Sequence, residues 1–123
     1  MRRFTLGGLL FIASLAPLSA QSQMTLNQEA MHAFEQADGR LNKVYGKLLS
    51  FPLDAADQKK LRRAQRAWIA FRDAEAEYES KGAEGGSMST LVYYSTAARL
   101  TEQRIKDLEA IVEEEVRTGV IPQ

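Results

Sequence analysis

Residues 64–80, AQRAWIAFRDAEAEYES, crowd one tryptophan, two arginines and four carboxylates into about five helical turns. Glu75 and Glu79 stand one turn apart, a spacing found in carboxylate-bridged metal sites. Bundle sites of that kind draw Glu-x-x-His motifs from two helices, and the single histidine, His32, cannot serve two. There is no cysteine, so thiol catalysis has no nucleophile. A serine nucleophile needs a base oriented by a third group, and no G-x-S-x-G string is present. The glycine-rich stretch GAEGGSMS (82–89) lacks the lysine–hydroxyl pair that follows the last glycine of a phosphate cradle. Catalytic residues, bound metal and cofactor are therefore all expected to be none, and the protein is expected not to be an enzyme.

Three periodic segments must position the remaining polar groups. Ahead of them, Arg2 and Arg3 precede an apolar run, LGGLLFIASL (6–15), then Pro17, Ser19 and Ala20. A charged start, a short apolar run and small residues make a secretory signal peptide. Residues 1–20 are read as that peptide, with cleavage after Ala20 or, alternatively, Ser22. The run falls short of the roughly 20 residues that span a bilayer, so no membrane anchor is expected after cleavage. Residues 21–123 then form one helical domain, periplasmic or secreted. It loses two of the chain's 16 basic residues against 16 acidic ones, for a net charge of −2, and no nucleic-acid partner is expected.

The first segment opens on the capping box Thr25–Gln28 and carries Ala30, Phe34, Ala37, Leu41, Val44 and Leu48 on one stripe. It stops at Phe51-Pro52, where the pre-proline residue leaves helical geometry. The second starts at the N-cap Asp54, with a stripe of Leu61, Ala64, Trp68, Phe71 and Tyr78. The third carries Leu91, Tyr94, Ala98, Ile105, Leu108 and Val112. The spacing predicts helices near 25–50, 54–80 and 89–116, with 82–89 as a non-helical loop. The fold class is all-α, an antiparallel three-helix up-down-up bundle. Phe34, Leu41, Leu61, Trp68, Phe71 and Leu108 are its expected core.

The second helix is basic first (Lys59, Lys60, Arg62, Arg63, Arg66) and acidic later (Asp73, Glu75, Glu77, Glu79), against the helix dipole. Glu113, Glu114 and Glu115, at the end of the third helix, are expected to compensate the basic run. Asp38, Asn42, Gln65, Arg66, Thr101 and Arg104 fall at one level of the bundle and form an expected polar layer. A buried charge requires a partner, so Asp38 should face Arg104 first and Arg66 second.

Four ordered strings, ADGRLNKVY (37–45), LRRAQRAWIAFRDAE (61–75), GGS (85–87) and LTEQRIKDL (100–108), resemble the LprI-like N-terminal domain family, small exported bacterial proteins named for a lysozyme inhibitor. The resemblance implies a helical, non-enzymatic envelope protein whose partner is lysozyme or another cell-wall hydrolase. It also implies two cysteines flanking the glycine loop, where this chain has Ala76 and Thr96. A hydrolase cleft with two carboxylates would accept a basic or hydroxyl-bearing loop, so Lys81, Glu84, Ser87 and Ser89 are the expected contact residues, Glu84 being the group such a cleft repels. The alternative is a structural or accessory envelope protein, a subunit or immunity-type partner with another target.

Overall fold

The computed structural model describes residues 18–83 and 86–119, with side chains from Ser22 onward except that of Ser87. Residues 1–17, the bulk of the expected signal segment, and Glu84 lie outside the described residues. Three helices account for the described chain: α1 (Leu18–Leu49), α2 (Ala55–Ser80) and α3 (Ser87–Arg117). Among the described residues no helix is long and apolar enough to cross a membrane.

The helix boundaries follow local chemistry with two departures. Asp54 caps α2 as expected, its carboxylate accepting a hydrogen bond from the Asp57 amide at 2.8 Å. α1 begins at Leu18 rather than Thr25, because 18–24 holds neither glycine nor proline and lets the helix run through the capping box. α3 begins at Ser87 rather than Ser89. Gly86, extended at φ −122° and ψ 163°, is its N-cap. Only one 3-10 turn, Lys81–Ala83, is described between α2 and α3.

Cross-helix contacts fix the direction of each helix. Phe34 meets Tyr94 with ring centroids 5.9 Å apart, and Arg40 donates to Glu102 through Nη1 and Nη2, so α1 and α3 run parallel. Glu79 bonds Thr96 while Gln65 bonds Arg104, so α2 runs antiparallel to α3. This is the up-down-up bundle. α3 lies closely against both other helices, whereas the α1 and α2 backbones meet little and are bridged by long side chains. Phe34 lies 16 residues into α1 and Tyr94 seven into α3, so α1 overhangs the start of α3 by about nine residues, roughly 13 Å.

Large apolar side chains are concentrated near the α1–α2 turn. Leu41, Leu48, Phe51, Ile105 and Leu108 are buried there, and Leu61, Trp68 and Val112 pack against them half-buried. Toward the α2–α3 turn the interior narrows to Ala37, Ala76 and Ala97 with Arg72, Thr96 and Ser80. Small residues bring the backbones together there and contribute less apolar area.

One expected core residue is misplaced: Phe71 is 51% exposed. Ala64 and Tyr78, which share its stripe, are exposed as well, Tyr78 at 60%. The buried face of α2 is instead Leu61, Gln65, Trp68, Arg72 and Ala76, with Gln65 at 3% and Arg72 at 6% exposure. Steps of four, three, four and four follow the 3.6-residue period more closely than the apolar stripe did. Phe34 is only half-buried.

Candidate functional site at the α2–α3 end

The buried polar groups form two pairs along Trp68, not one layer. Arg72 donates from Nη1 to Asp38 Oδ1 at 2.9 Å and from Nε to Asp73 Oδ1 at 2.8 Å. Its guanidinium also covers the rings of Phe34, at 4.9 Å, and Trp68, at 5.4 Å. Arg104 approaches Trp68 from α3, 5.8 Å from the ring, and donates from Nε to Gln65 Oε1 at 3.1 Å. Burial lowers the pKa of Arg104, with the Asp107 charge opposing it. Among the described residues no buried side-chain nitrogen or oxygen lacks a partner.

The expected pairing of Asp38 with Arg104 or Arg66 is therefore wrong, and the partner is Arg72. Helical side chains tilt toward the helix N-terminus, so the long Arg72 stem carries its charge back to the level of Trp68. That level faces Asp38. Arg66 and Asn42 are exposed. Thr101 is buried but donates to its own helix, to the Ala97 carbonyl at 2.7 Å. The acidic end of α3 does lie beside the start of α2, where Asp57, Leu61, Ile111 and Glu115 line one cavity. Yet no ion pair joins them among the described residues. Lys60 pairs with Asp57 on its own helix, and Arg117 with Glu114.

At the opposite end a second cluster joins α2 to α3. Thr96 donates to Glu79 Oε2 at 2.6 Å, and Arg99 donates to Glu79 Oε1 at 2.9 Å. The Thr96 hydrogen bond, opposed next by desolvation and then aided by the Arg99 charge and its bond, holds the Glu79 carboxyl below its ordinary range. Thr96 and Ala76, the two positions where the family's cysteines are implied, are both buried. A hydroxyl–carboxylate–guanidinium link in which Thr96 takes part thus ties α2 to α3.

Glu79 is committed to this link. Glu29 and His32 do form one Glu-x-x-His step in α1, but His32 is exposed and shares a hydrogen bond with Gln36 at 3.0 Å. Among the described residues no group of three or more side chains is placed to hold a metal ion.

The surface over this end is amphipathic. Lys81 Nζ lies 3.5 Å from the centroid of the exposed Tyr78 ring, and Met88 is exposed beside the start of α3. Ser80, Ser89, Thr90, Tyr93 and Tyr94 line an open cavity of about 300 Å³. Tyr93 stands edge-on to Tyr94, with centroids 5.3 Å apart. Desolvation, then the Asp73 charge, raises the pKa of the Tyr93 phenol. Of the expected contact residues, Lys81 and Ser89 are found here, Ser89 half-buried in the first turn of α3. Glu84 and the Ser87 side chain are outside the described residues. Sequence reasoning missed Tyr78, Thr90, Tyr93 and Tyr94 because Tyr78 and Tyr94 were assigned to core stripes.

A protein-family model described as "Lysozyme inhibitor LprI" matches residues 15–108. A curated protein of Rhizobium meliloti (strain 1021), "Uncharacterized protein R02472", is 32% identical over 127 aligned positions covering 85% of this chain and 91% of the relative. No solved structure matches the chain. With the family's strings carried on the helices just described, the chain belongs to the lysozyme inhibitor LprI family.

Proposed function

We propose that the protein is an exported binding protein that blocks a cell-wall hydrolase of the lysozyme class, and that the α2–α3 end is the part that enters the enzyme's cleft. The family match over residues 15–108 carries this reading. Chemistry at the α2–α3 end supports it. A glycoside hydrolase cleft presents two carboxylates on either side of the scissile bond. Lys81 offers an exposed ammonium whose nearest acidic neighbour in sequence, Glu79, is already held by Thr96 and Arg99. The Tyr78 ring lies beneath it, and Met88, Ser89 and Thr90 stand in the first turn of α3. Tyrosines with a polar tip and a broad apolar face suit a surface that must lie against sugar-binding walls. The signal-like segment at 1–20 provides the route of export.

The test is a turbidity assay of peptidoglycan lysis by lysozyme, titrated with the mature protein and with Lys81→Glu. The reading predicts dose-dependent inhibition by the wild type, weakened at least about tenfold in the variant, since a lost interfacial charge pair costs roughly 2–5 kcal/mol. Full lysis at saturating wild-type protein would exclude lysozyme as the target.

A further inference from the structure

One face of α2 is unpartnered. Ala64, Ala67, Phe71, Ala74 and Tyr78 are all exposed, and they repeat at steps of three and four, the spacing of a helix–helix seam. The strip points away from the buried face carrying Gln65, Trp68, Arg72 and Ala76. Four of its five side chains are hydrocarbon, and three alanines allow a second helix to approach closely.

The charges beside the strip indicate its occupant. Lys59, Lys60, Arg62, Arg63 and Arg66 precede Ile69, while Asp73, Glu75, Glu77 and Glu79 follow it. Inverting α2 about the level of Ile69 sets its basic first half against its acidic second half, with Lys59 opposite Glu79 and Arg63 opposite Glu75; Arg66 then meets Arg72, whose charge Asp38 and Asp73 already neutralise. The same inversion sets Ala64 against Ala74 and Ala67 against Phe71. Arg63 and Glu77 flank the strip on one side. Neither makes an ion pair among the described residues, whereas Arg40, Arg72, Arg99 and Arg117 all do. Of these charges α3 ion-pairs Glu79 alone among the described residues, and the charge order that opposes the α2 dipole is complementary to itself.

We infer that α2 is the interface of an antiparallel, two-fold dimer, in which the Ala64–Ala74 part of the strip packs on the same part of a second copy and Arg63 of each lies within reach of Glu77 of the other. A two-fold axis crossing the strip at the level of Ile69 makes the contact isologous and closed. Tyr78 falls beyond this overlap, so the two α2–α3 ends lie at opposite extremes of the dimer, outside the interface, and the inference stands independently of the proposed inhibition. The overlapping segment is about 15 Å long. One helix pair of that length falls below the roughly 1,200 Å² of a standard interface, so the dimer dissociates in the micromolar range or above and weakens with added salt.

Sedimentation velocity on the mature protein from about 1 μM to about 1 mM tests this, each variant first being checked for unchanged helicity. A concentration-dependent dimer is expected in the wild type. Phe71→Glu weakens it at least about tenfold, the substitution occurring twice per interface. Arg63→Glu and Glu77→Arg each weaken it about fivefold or more, and the double charge swap restores wild-type association. A wild type that stays monomeric throughout overturns the inference. So does a dimer indifferent to Phe71→Glu, or a double swap that fails to restore association.

Discussion

Removing the carboxylates around Arg72 probes the part of the fold that sequence reading placed wrongly. The Arg72 side chain is 8% exposed, and its partners Asp38 and Asp73 are 39% and 44% exposed. Leaving a buried charge wholly unpaired costs roughly 3–5 kcal/mol. Asp38→Ala alone leaves Asp73 bonded to Nε, and water reaches the vacated site, so about 1–2 kcal/mol is expected from the lost charged hydrogen bond. Asp73→Ala should cost about 1 kcal/mol or less, since Asp73 adjoins Arg72 on the same helix and ties no helices together. The double variant strands the guanidinium between Phe34 and Trp68 and should cost about 3–5 kcal/mol, leaving a coupling of about 1–2 kcal/mol. Urea unfolding followed by circular dichroism supplies the free energies. The fluorescence of Trp68, the only tryptophan, reports the site itself. Additive losses totalling under about 1 kcal/mol would show that Arg72 is solvated and that Asp38 does not hold α1 to α2.

Truncating Leu108, which is fully buried, to alanine should cost about 2–5 kcal/mol. Phe71→Ala, on the apolar stripe but exposed, should cost less than about 1 kcal/mol; thermal melts of both variants at low protein concentration separate the two, and equal losses would restore Phe71 to the core. Glu79 and Glu102 are held below the ordinary 4.5 of a glutamate, chiefly by their hydrogen bonds to Thr96 and Arg40. The folded state therefore binds fewer protons than the unfolded one in acid. Their stabilisation is complete above that value and is lost as the pH falls through the depressed ones. Thr96→Val should flatten this decline, which urea midpoints between about pH 6 and pH 3 would reveal; an unchanged slope would show that Thr96 does not set the Glu79 carboxyl.

The helices were legible because periodicity and caps act locally. Asp54 and the Phe51-Pro52 stop are settled within a few residues of chain. The inward face of α2 was harder to read, because residue type and residue position disagree there. Gln65 and Arg72 are polar by type, yet arginine buries its stem and places only its tip against a carboxylate or ring. Phe71 and Tyr78 are apolar by type, yet their angular position turns them outward. The regular steps 61, 65, 68, 72, 76 carried the right answer. Pairing across the bundle was less legible still, since the reach of one arginine exceeds a helical turn and moves Asp38 from Arg104 to Arg72. The glycine-rich stretch read as a longer loop than it is, because Gly86 in an extended conformation lets α3 start directly behind it.

The claim that the α2–α3 end binds a lysozyme-class hydrolase is tested most directly by mapping the bound surface. Backbone amide spectra of the isotope-labelled mature protein, recorded while unlabelled lysozyme is added, resolve each residue separately. The account predicts shifts and broadening confined to Tyr78 through Tyr94, with Lys81 and Ser89 foremost. Unchanged spectra, or changes centred on Lys59 to Arg66 at the far end of α2, would contradict it.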